Sequence, residues 1–532
     1  MNATPNVDFD VIIVGSGPAG VSAAFPLLEA GLRVLMVDGG QGAAVAPPAG
    51  QFLDLRHHSA DQWLWMAGRD YHALRQADAV SPKLRVPTHA TVFAGFLEAN
   101  RITADDFLAT GSLAPGGLSN SWGCGVACLD DDELAAFPFA PAELRASYGT
   151  VAQRIGVSGG RDDDLSQFFG LDDWCQPAVP MDELQGDLLA RYSHHRNAML
   201  QRGFRLGRAR VAVITEPVAD RKACDQSGTC LWGCSRRALY SATEDLRLLG
   251  GYPGFSYRPG FLVERVGNEG AVIVAEGRDS NGHCMAQARR LLLAAGTLAS
   301  TRLALQALNH RVPVSMQSCP TAAFMLWLPR HLGRAHSAAF GLGQLAFALD
   351  LGEGTTGFGS LFNTTGIPVT EFVRQMPFGK RYGTDLLALL LSSCVVGNVF
   401  LPGSMTDVTL GLDAHDGLSV KGNYRQEVDS LMQQAQRRLR ASFRRLGAEM
   451  VPTSFKVGRP GSDIHYAASL PMREHPEPGQ TDRNGELFGA TGIHVVDGAS
   501  LSTLTAKSHT LTIMANADRI ARNVAQTLVE TR

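Results

Sequence analysis

The feature that most constrains this chain is a glycine turn close to its start. Val11-Ile12-Ile13-Val14 is a short apolar run, Gly15-Ser16-Gly17-Pro18-Ala19-Gly20 follows it, and Val21 to Ala30 carries apolar residues at helical spacing. Arg33-Val34-Leu35-Met36-Val37-Asp38 then reads as a buried strand that ends in a carboxylate. Strand, turn, helix and strand in this order form a βαβ unit. Gly15 allows the tight turn, Gly17 lets a pyrophosphate approach the backbone, and Gly20 lets the helix lie close on the strand. Across Pro18 and Ala19 the helix begins, and its N-terminus offers unpaired N–H groups and a positive dipole to phosphate. Asp38, 18 residues beyond Gly20, can accept hydrogen bonds from a ribose 2′-hydroxyl and would repel a 2′-phosphate. The turn in this context predicts a bound dinucleotide; by itself it does not choose FAD over NAD.

Composition narrows the partners. The chain has 532 residues, 45% hydrophobic and 19% charged, which describes a protein with a large core and more than one ordinary domain. A net charge of −3 without a long basic run gives no support to a nucleic-acid or anionic-membrane partner, so a small molecule is expected. The ten residues Met1 to Asp10 are polar and acidic and leave no room for a basic head and apolar middle of a signal peptide. Leu386 to Leu391 is too short for the ~20 apolar residues of a membrane span and reads as a buried helix or strand. No integral membrane segment is expected, and the compartment is expected to be cytoplasmic. Nine cysteines there are thiols or ligands in preference to a disulfide framework.

Dinucleotide-type segments recur in the middle and at the end. Phe261 to Val266 and Ala271 to Ala275 flank Gly267-Asn268-Glu269-Gly270 as a hairpin, and Arg289 to Leu293 runs into the small-residue turn Ala294-Ala295-Gly296-Thr297. Ile493 to Val496 is a strand, and a long helix is expected from about Thr510 to Val529. Residues 310–450 hold strands and helices without a nucleotide signal. The predicted class is α/β, α+β overall. A discontinuous Rossmann-like cofactor-binding domain (1–45, 90–150, 210–310 and 455–532) receives an inserted substrate-binding domain built on an antiparallel sheet (46–89, 151–209 and 311–454).

Four segments together resemble the glucose–methanol–choline (GMC) oxidoreductases over nearly the full length. They are the turn above, Gly116-Gly117-Leu118-Ser119-Asn120-Ser121-Trp122-Gly123, the block His465-Tyr466-Ala467-Ala468-Ser469-Leu470-Pro471-Met472, and Asp497-Gly498-Ala499-Ser500 running to Ser508-His509-Thr510-Leu511-Thr512. The resemblance implies FAD, with contacts from Gly117, Ser119, Asn120, Trp122, Val263, Ala295, Gly296, Asp497, Gly498 and Thr510 besides the turn. It makes His465 a base and His509 its partner. Oxidising an alcohol requires removal of the hydroxyl proton while a hydride leaves the same carbon for flavin N5, and histidine titrates near the working pH. Ala468-Ser469 stands where the family has Gly-Thr, and Arg473 follows Met472 where it has glycine. Some pyranose-oxidising relatives tether FAD through a histidine near the position of Trp122; Ser119, Asn120 and Ser121 here imply non-covalent FAD. The expected reaction is oxidation of a CH–OH group in a sugar, polyol or hydroxylated natural product. The alternatives are another flavin reaction on the same scaffold (elimination, rearrangement or decarboxylation) and a non-catalytic flavin-binding subunit. Oxygen, a quinone, a protein or a dye remains open as electron acceptor.

Cys224, Cys230 and Cys234 are spaced C-x5-C-x3-C and resemble the segment of FAD-dependent glucose and gluconate dehydrogenases that holds a [3Fe–4S] cluster. The alternative is three ordinary thiols in a loop that still serves flavin binding. Cys124 and Cys128 read as core thiols.

Overall fold

A computed structural model describes every residue except 1–6, 43–48, 70, 76–81, 271, 336–337, 365–378 and 532. Ala271, the first residues of the acidic N-terminal segment and parts of the expected substrate-domain segments lie outside the described residues.

The opening turn feeds a parallel sheet. Phe9–Val14 pairs in parallel with Val34–Asp38 on one side and with the end of the long strand Gly282–Leu293 on the other. Phe255–Pro259 extends the first edge. The long strand forks: Gly282 to Ala288 pair antiparallel with Val272–Asp279, whereas Leu291 to Leu293 pair in parallel with Ile493–Val495. Both faces of the parallel portion are covered, which is why its strands read as unbroken apolar runs. On one face Val21, Ala24 and Leu28 of the helix Pro18–Glu29 meet Ala517, Ile520 and Val524 of the C-terminal helix Thr510–Glu530.

The mid-chain region forms the expected hairpin. Leu262–Glu269, Val272–Asp279 and Gly282–Leu293 make an antiparallel meander, and only the last strand continues into the parallel sheet. Gly267 to Glu269 stay in the strand, and Gly270 carries a positive φ of 67°.

A second sheet of seven strands is antiparallel and holds Phe204–Arg208, Thr321–Trp327, Gly343–Asp350, Thr356–Asn363 and Cys394–Phe400. Helices Glu183–Leu200 and Glu427–Arg445 cover one face through Leu188, Tyr192, Val428, Leu439 and Phe443. Its other face is free to wall a cavity. A third, five-stranded sheet joins Ile102–Asp105 and Tyr466–Ala467 to the strands Val314–Ser318, Thr406–Leu412 and Leu418–Tyr424. Leu386 to Leu391 ends the helix Lys380–Leu391, with Leu387 and Leu391 buried but Leu389 exposed, so it is an amphipathic element and not an all-buried one. Among the described residues no helix is long and apolar enough to cross a membrane.

Candidate active site

Residues from all three sheets wall a cavity of about 460 Å3. Gly15, Gly17, Pro18 and Ala19 form one end of it. The helix that starts at Pro18 has no side chain capping its N-terminus, so its first-turn N–H groups face the cavity without partners. A Cβ on Gly17 would meet nothing within 4 Å, whereas one on Gly20 would lie 1.9 Å from the Gly15 carbonyl oxygen. Gly20 therefore does not line the cavity; it brings helix and strand together, while Gly17 leaves space. Open volume beside unpaired N–H donors is what a pyrophosphate requires, and FAD fits this end. Asp38 lines the same end. Its carboxylate accepts from the Ser16 and Tyr257 hydroxyls (the latter at 2.8 Å) and from Gly40 N–H at 2.9 Å, and burial raises its pKa.

The loop expected beside the flavin docks against the turn. Gly116 N–H donates to Ser16 Oγ at 3.1 Å, and a Cβ on Gly117 would sit 3.3 Å from the Gly17 Cα. Gly117, Ser119 and Trp122 face the cavity. Trp122 is fixed by its Nε1–H to the Tyr240 carbonyl, 2.8 Å. Asn120 is different: its amide donates to the carbonyls of Pro115 and Gly117 and accepts from Ser241, so it staples the loop and faces away from the cavity. Val263, Ala295, Gly296, Asp497, Gly498 and Thr510 all line the cavity. Asp497 already uses both oxygens, accepting from Gly296 N–H at 2.8 Å, Ser300 Oγ at 2.5 Å and Ala499 N–H at 3.0 Å. It holds the Ala295-Gly296 turn in place, and burial raises its carboxyl to about 6.

At the far end His465 and His509 meet edge to face, their ring centroids 4.8 Å apart. His509 stands at the start of the C-terminal helix, and His465 just before the short strand Tyr466–Ala467. Phe400 of the antiparallel sheet packs against His465 at 5.1 Å. Burial pushes His465 well below the usual histidine range, with the charges of His509 and Lys83 acting the same way, and pulls His509 down to about 4. Both imidazoles are thus held neutral at ordinary pH, the form that accepts a proton. Each Nδ1 is buried without a hydrogen-bond partner, and both histidines line the cavity.

The departures from the family block have a local explanation. Ala468 keeps a φ of 61°, the left-handed conformation glycine adopts without penalty, and its N–H donates to the Gly498 carbonyl at 2.9 Å. Ser469 supplies a hydroxyl 2.6 Å from Thr301 Oγ1. The backbone beside the base is thereby held without glycine or threonine.

Two residues at this end carry no sequence signal that flagged them. The Asp463 carboxylate is 3.3 Å from His465 Nδ1 with its side chain 1% exposed, and a D-x-H spacing was the one available clue. Lys83 enters from a distant segment, its ammonium 3.4 Å from the position a Cβ on Gly123 would take, and burial lowers it to about 8.

The cysteine segment lies behind this end. A second cavity of about 160 Å3 is lined by Cys124, Cys230 and Cys234 but not by Cys224. The Cys224 and Cys230 sulfurs accept N–H bonds from Gln226 and Gly341, each at 3.4 Å. Burial raises Cys224 to about 11, Cys124 to about 12, and Cys230 well above the usual thiol value. Of the three cysteines offered as cluster ligands, Cys230 and Cys234 line this space and Cys224 does not, so the cluster gains no support. Cys124 and Cys128 are core thiols as expected.

Comparisons with known proteins agree with this geometry. The pyridine nucleotide-disulphide oxidoreductase family model matches residues 9–110, the region of the opening turn. Paromamine 6′-oxidase of Streptomyces fradiae is 24% identical over 557 aligned positions, covering 98% of this chain and 92% of that one. Among solved structures, a pyridoxine 4-oxidase from Mesorbium loti superposes with a TM-score of 0.60 at 16% identity over 97% of this chain and 99% of its own. A formate oxidase of Aspergillus oryzae RIB40 gives 0.62 at 13% identity over 99% and 100%. The chain thus shares its fold over nearly its whole length with these two oxidases, and the family match falls on the opening turn at the dinucleotide end of the cavity.

Proposed function

We propose that the chain oxidises the CH–OH group of a sugar, polyol or hydroxylated natural product to a carbonyl, with His465 as base. The observation that carries this reading is the pair of imidazoles, ring centroids 4.8 Å apart, in the wall of the cavity that the dinucleotide turn also lines. His465 takes the hydroxyl proton at Nε2. His509 holds the substrate oxygen through its own Nε2, so that the carbinol hydrogen is presented in one direction. Asp463 sits behind His465 Nδ1, 3.3 Å from it, and is a positioning residue that fixes the ring. FAD, bound without a covalent tether, supplies the hydride acceptor. Gly15, Gly17 and the first turn of the Pro18 helix hold its pyrophosphate, Asp38 its ribose, and Gly117, Ser119, Trp122, Val263, Ala295, Gly296, Gly498 and Thr510 form the walls along it.

We also divide the chain as the sheets suggest. The parallel sheet and its meander form the cofactor domain, and the seven-stranded antiparallel sheet forms the substrate domain. The names of the relatives make paromamine and pyridoxine the first alcohols to test.

The test is anaerobic reduction of the flavin absorbance by a panel of sugars and alcohols, repeated with oxygen to identify the acceptor. His465→Ala should retain the flavin and lose roughly 10²- to 10⁴-fold in the reduction rate, the usual share of a general base. Reduction at the wild-type rate would remove His465 from the role.

A further inference from the structure

We infer that Cys319, Asp463 and His465 form a binding site for one divalent cation of borderline softness, zinc foremost, directly behind the catalytic cavity. Three ligand atoms, a thiol sulfur, a carboxylate oxygen and a ring nitrogen, lie within 4.8 Å of one another. The chain assembles them by two separate devices. Strand register supplies the cysteine: Gln317 pairs with Ala467 and Ser318 with Tyr466, so the next position along the antiparallel ladder sets Cys319 beside His465. Backbone strain supplies the acid. Ile464 has a φ of 64°, an uncommon conformation for a β-branched residue, and it folds Asp463 back so that its Oδ1 accepts the His465 N–H at 3.3 Å.

The atoms aimed at the centre of this group are unsatisfied. Asp463 Oδ2 and His465 Nδ1 are both buried, and neither has a hydrogen-bond partner although they stand 3.3 Å apart. Two ligands on one tetrahedral zinc, each about 2.0–2.1 Å from it, are separated by about 3.3 Å, so that spacing is the one an ion would impose. Cys319 Sγ has only a 3.3 Å contact to the Thr505 carbonyl, which a thiolate would give up. A set of one sulfur, one imidazole and one carboxylate is a zinc donor set. Burial pushes the Asp463 carboxyl and the Cys319 thiol upward and the His465 imidazole downward, all toward the neutral forms. A dication reverses that preference for the two acids: it displaces their protons, and its two charges balance theirs.

Occupancy has a consequence that rests on the reading of His465 as base. An imidazole coordinated through Nδ1 carries its proton on Nε2 and has no lone pair to offer the substrate. The ion is therefore an inhibitor of alcohol oxidation, reversible by chelation.

Chelator-treated, flavin-loaded enzyme dialysed against zinc, followed by metal analysis, should take up one equivalent more than the Cys319→Ser variant. Zinc inhibition should weaken at least tenfold in Cys319→Ser, while its zinc-free activity stays near that of the parent. Other thiols that bind zinc contribute equally to both proteins and cancel. Asp463→Asn, judged by zinc uptake alone, should lose the same equivalent and covers the case in which the cysteine variant fails to fold. Equal zinc uptake by parent and variants overturns the site, as does inhibition unchanged in Cys319→Ser. Uptake of the extra equivalent without inhibition keeps the site and instead removes His465 as the base.

Discussion

Two glycines of the opening turn, Gly17 and Gly20, make the sharpest test of the dinucleotide end. At Gly20 the ideal Cβ lies 1.9 Å from the Gly15 carbonyl oxygen, and real Cβ atoms essentially never approach within 3.0 Å. Gly20→Ala must therefore lift the helix from the strand by at least 3.0 − 1.9 = 1.1 Å. Overpacking of this kind costs about 1–3 kcal/mol, and it acts on the protein whether or not cofactor is present. Gly17 is the opposite case. Its φ of −69° and ψ of −178° suit any residue, and its Cβ would enter empty space. Gly17→Ala should leave the deflavinated protein as stable as the parent, or about 0.4–1 kcal/mol more stable through the loss of unfolded-state freedom. The same methyl occupies the space assigned to pyrophosphate, so FAD should bind at least tenfold more weakly, a loss of about 1.4 kcal/mol. Thermal unfolding of deflavinated protein and FAD titration by fluorescence quenching separate the two effects. If Gly17→Ala binds FAD within twofold of the parent, the open volume at Gly17 is not where the phosphates sit. If Gly20→Ala unfolds at the parental temperature, the packing argument fails.

Other expectations follow from the charges at the catalytic end. Because His465 is held below its ordinary value, the reductive rate should stay flat on lowering the pH through 6.5 and decline only as the depressed value is reached. Lys83→Met removes a cation that keeps His465 low, so the acid limb of that profile should move to higher pH; an unmoved limb would separate Lys83 from His465. His509 falls to about 4 in the fold against 6.5 unfolded, so between those values the unfolded chain binds more protons and stability is lost as pH falls. His509→Asn should flatten that slope in melts of deflavinated protein between pH 7 and pH 4.5, and an unchanged slope would assign it to other groups. Iron analysis of anaerobically purified protein should find no stoichiometric iron, since Cys224 does not line the space that Cys230 and Cys234 share.

What could be read from the sequence is what depends on local backbone demands. Gly15, Gly17 and Gly20 are legible because a tight turn, an approaching ligand and a close helix each forbid a side chain at a fixed spacing, and the structure gives each glycine a different one of those constraints. His465 and His509 were legible for a different reason: each stands inside a block whose neighbours also match a family, so two weak signals support each other across the chain. The reading failed where register or side-chain rotation decides. Asn120 sits in the right loop, but its amide turns inward to the Pro115 and Gly117 carbonyls, a choice made by hydrogen-bond geometry that spacing does not encode. The mid-chain hairpin was legible, because a glycine-bounded turn between two apolar runs dictates antiparallel pairing, and that is the pairing the strands show. Cys319 and Lys83 lay beyond reach altogether. Each comes to His465 through tertiary packing, the first by the ladder between Val314–Ser318 and Tyr466–Ala467 and the second from a segment near the start of the chain. Groups that act on the base by field and contact are therefore the ones a single sequence conceals, and they are also the ones on which its acidity and its access to a metal ion depend.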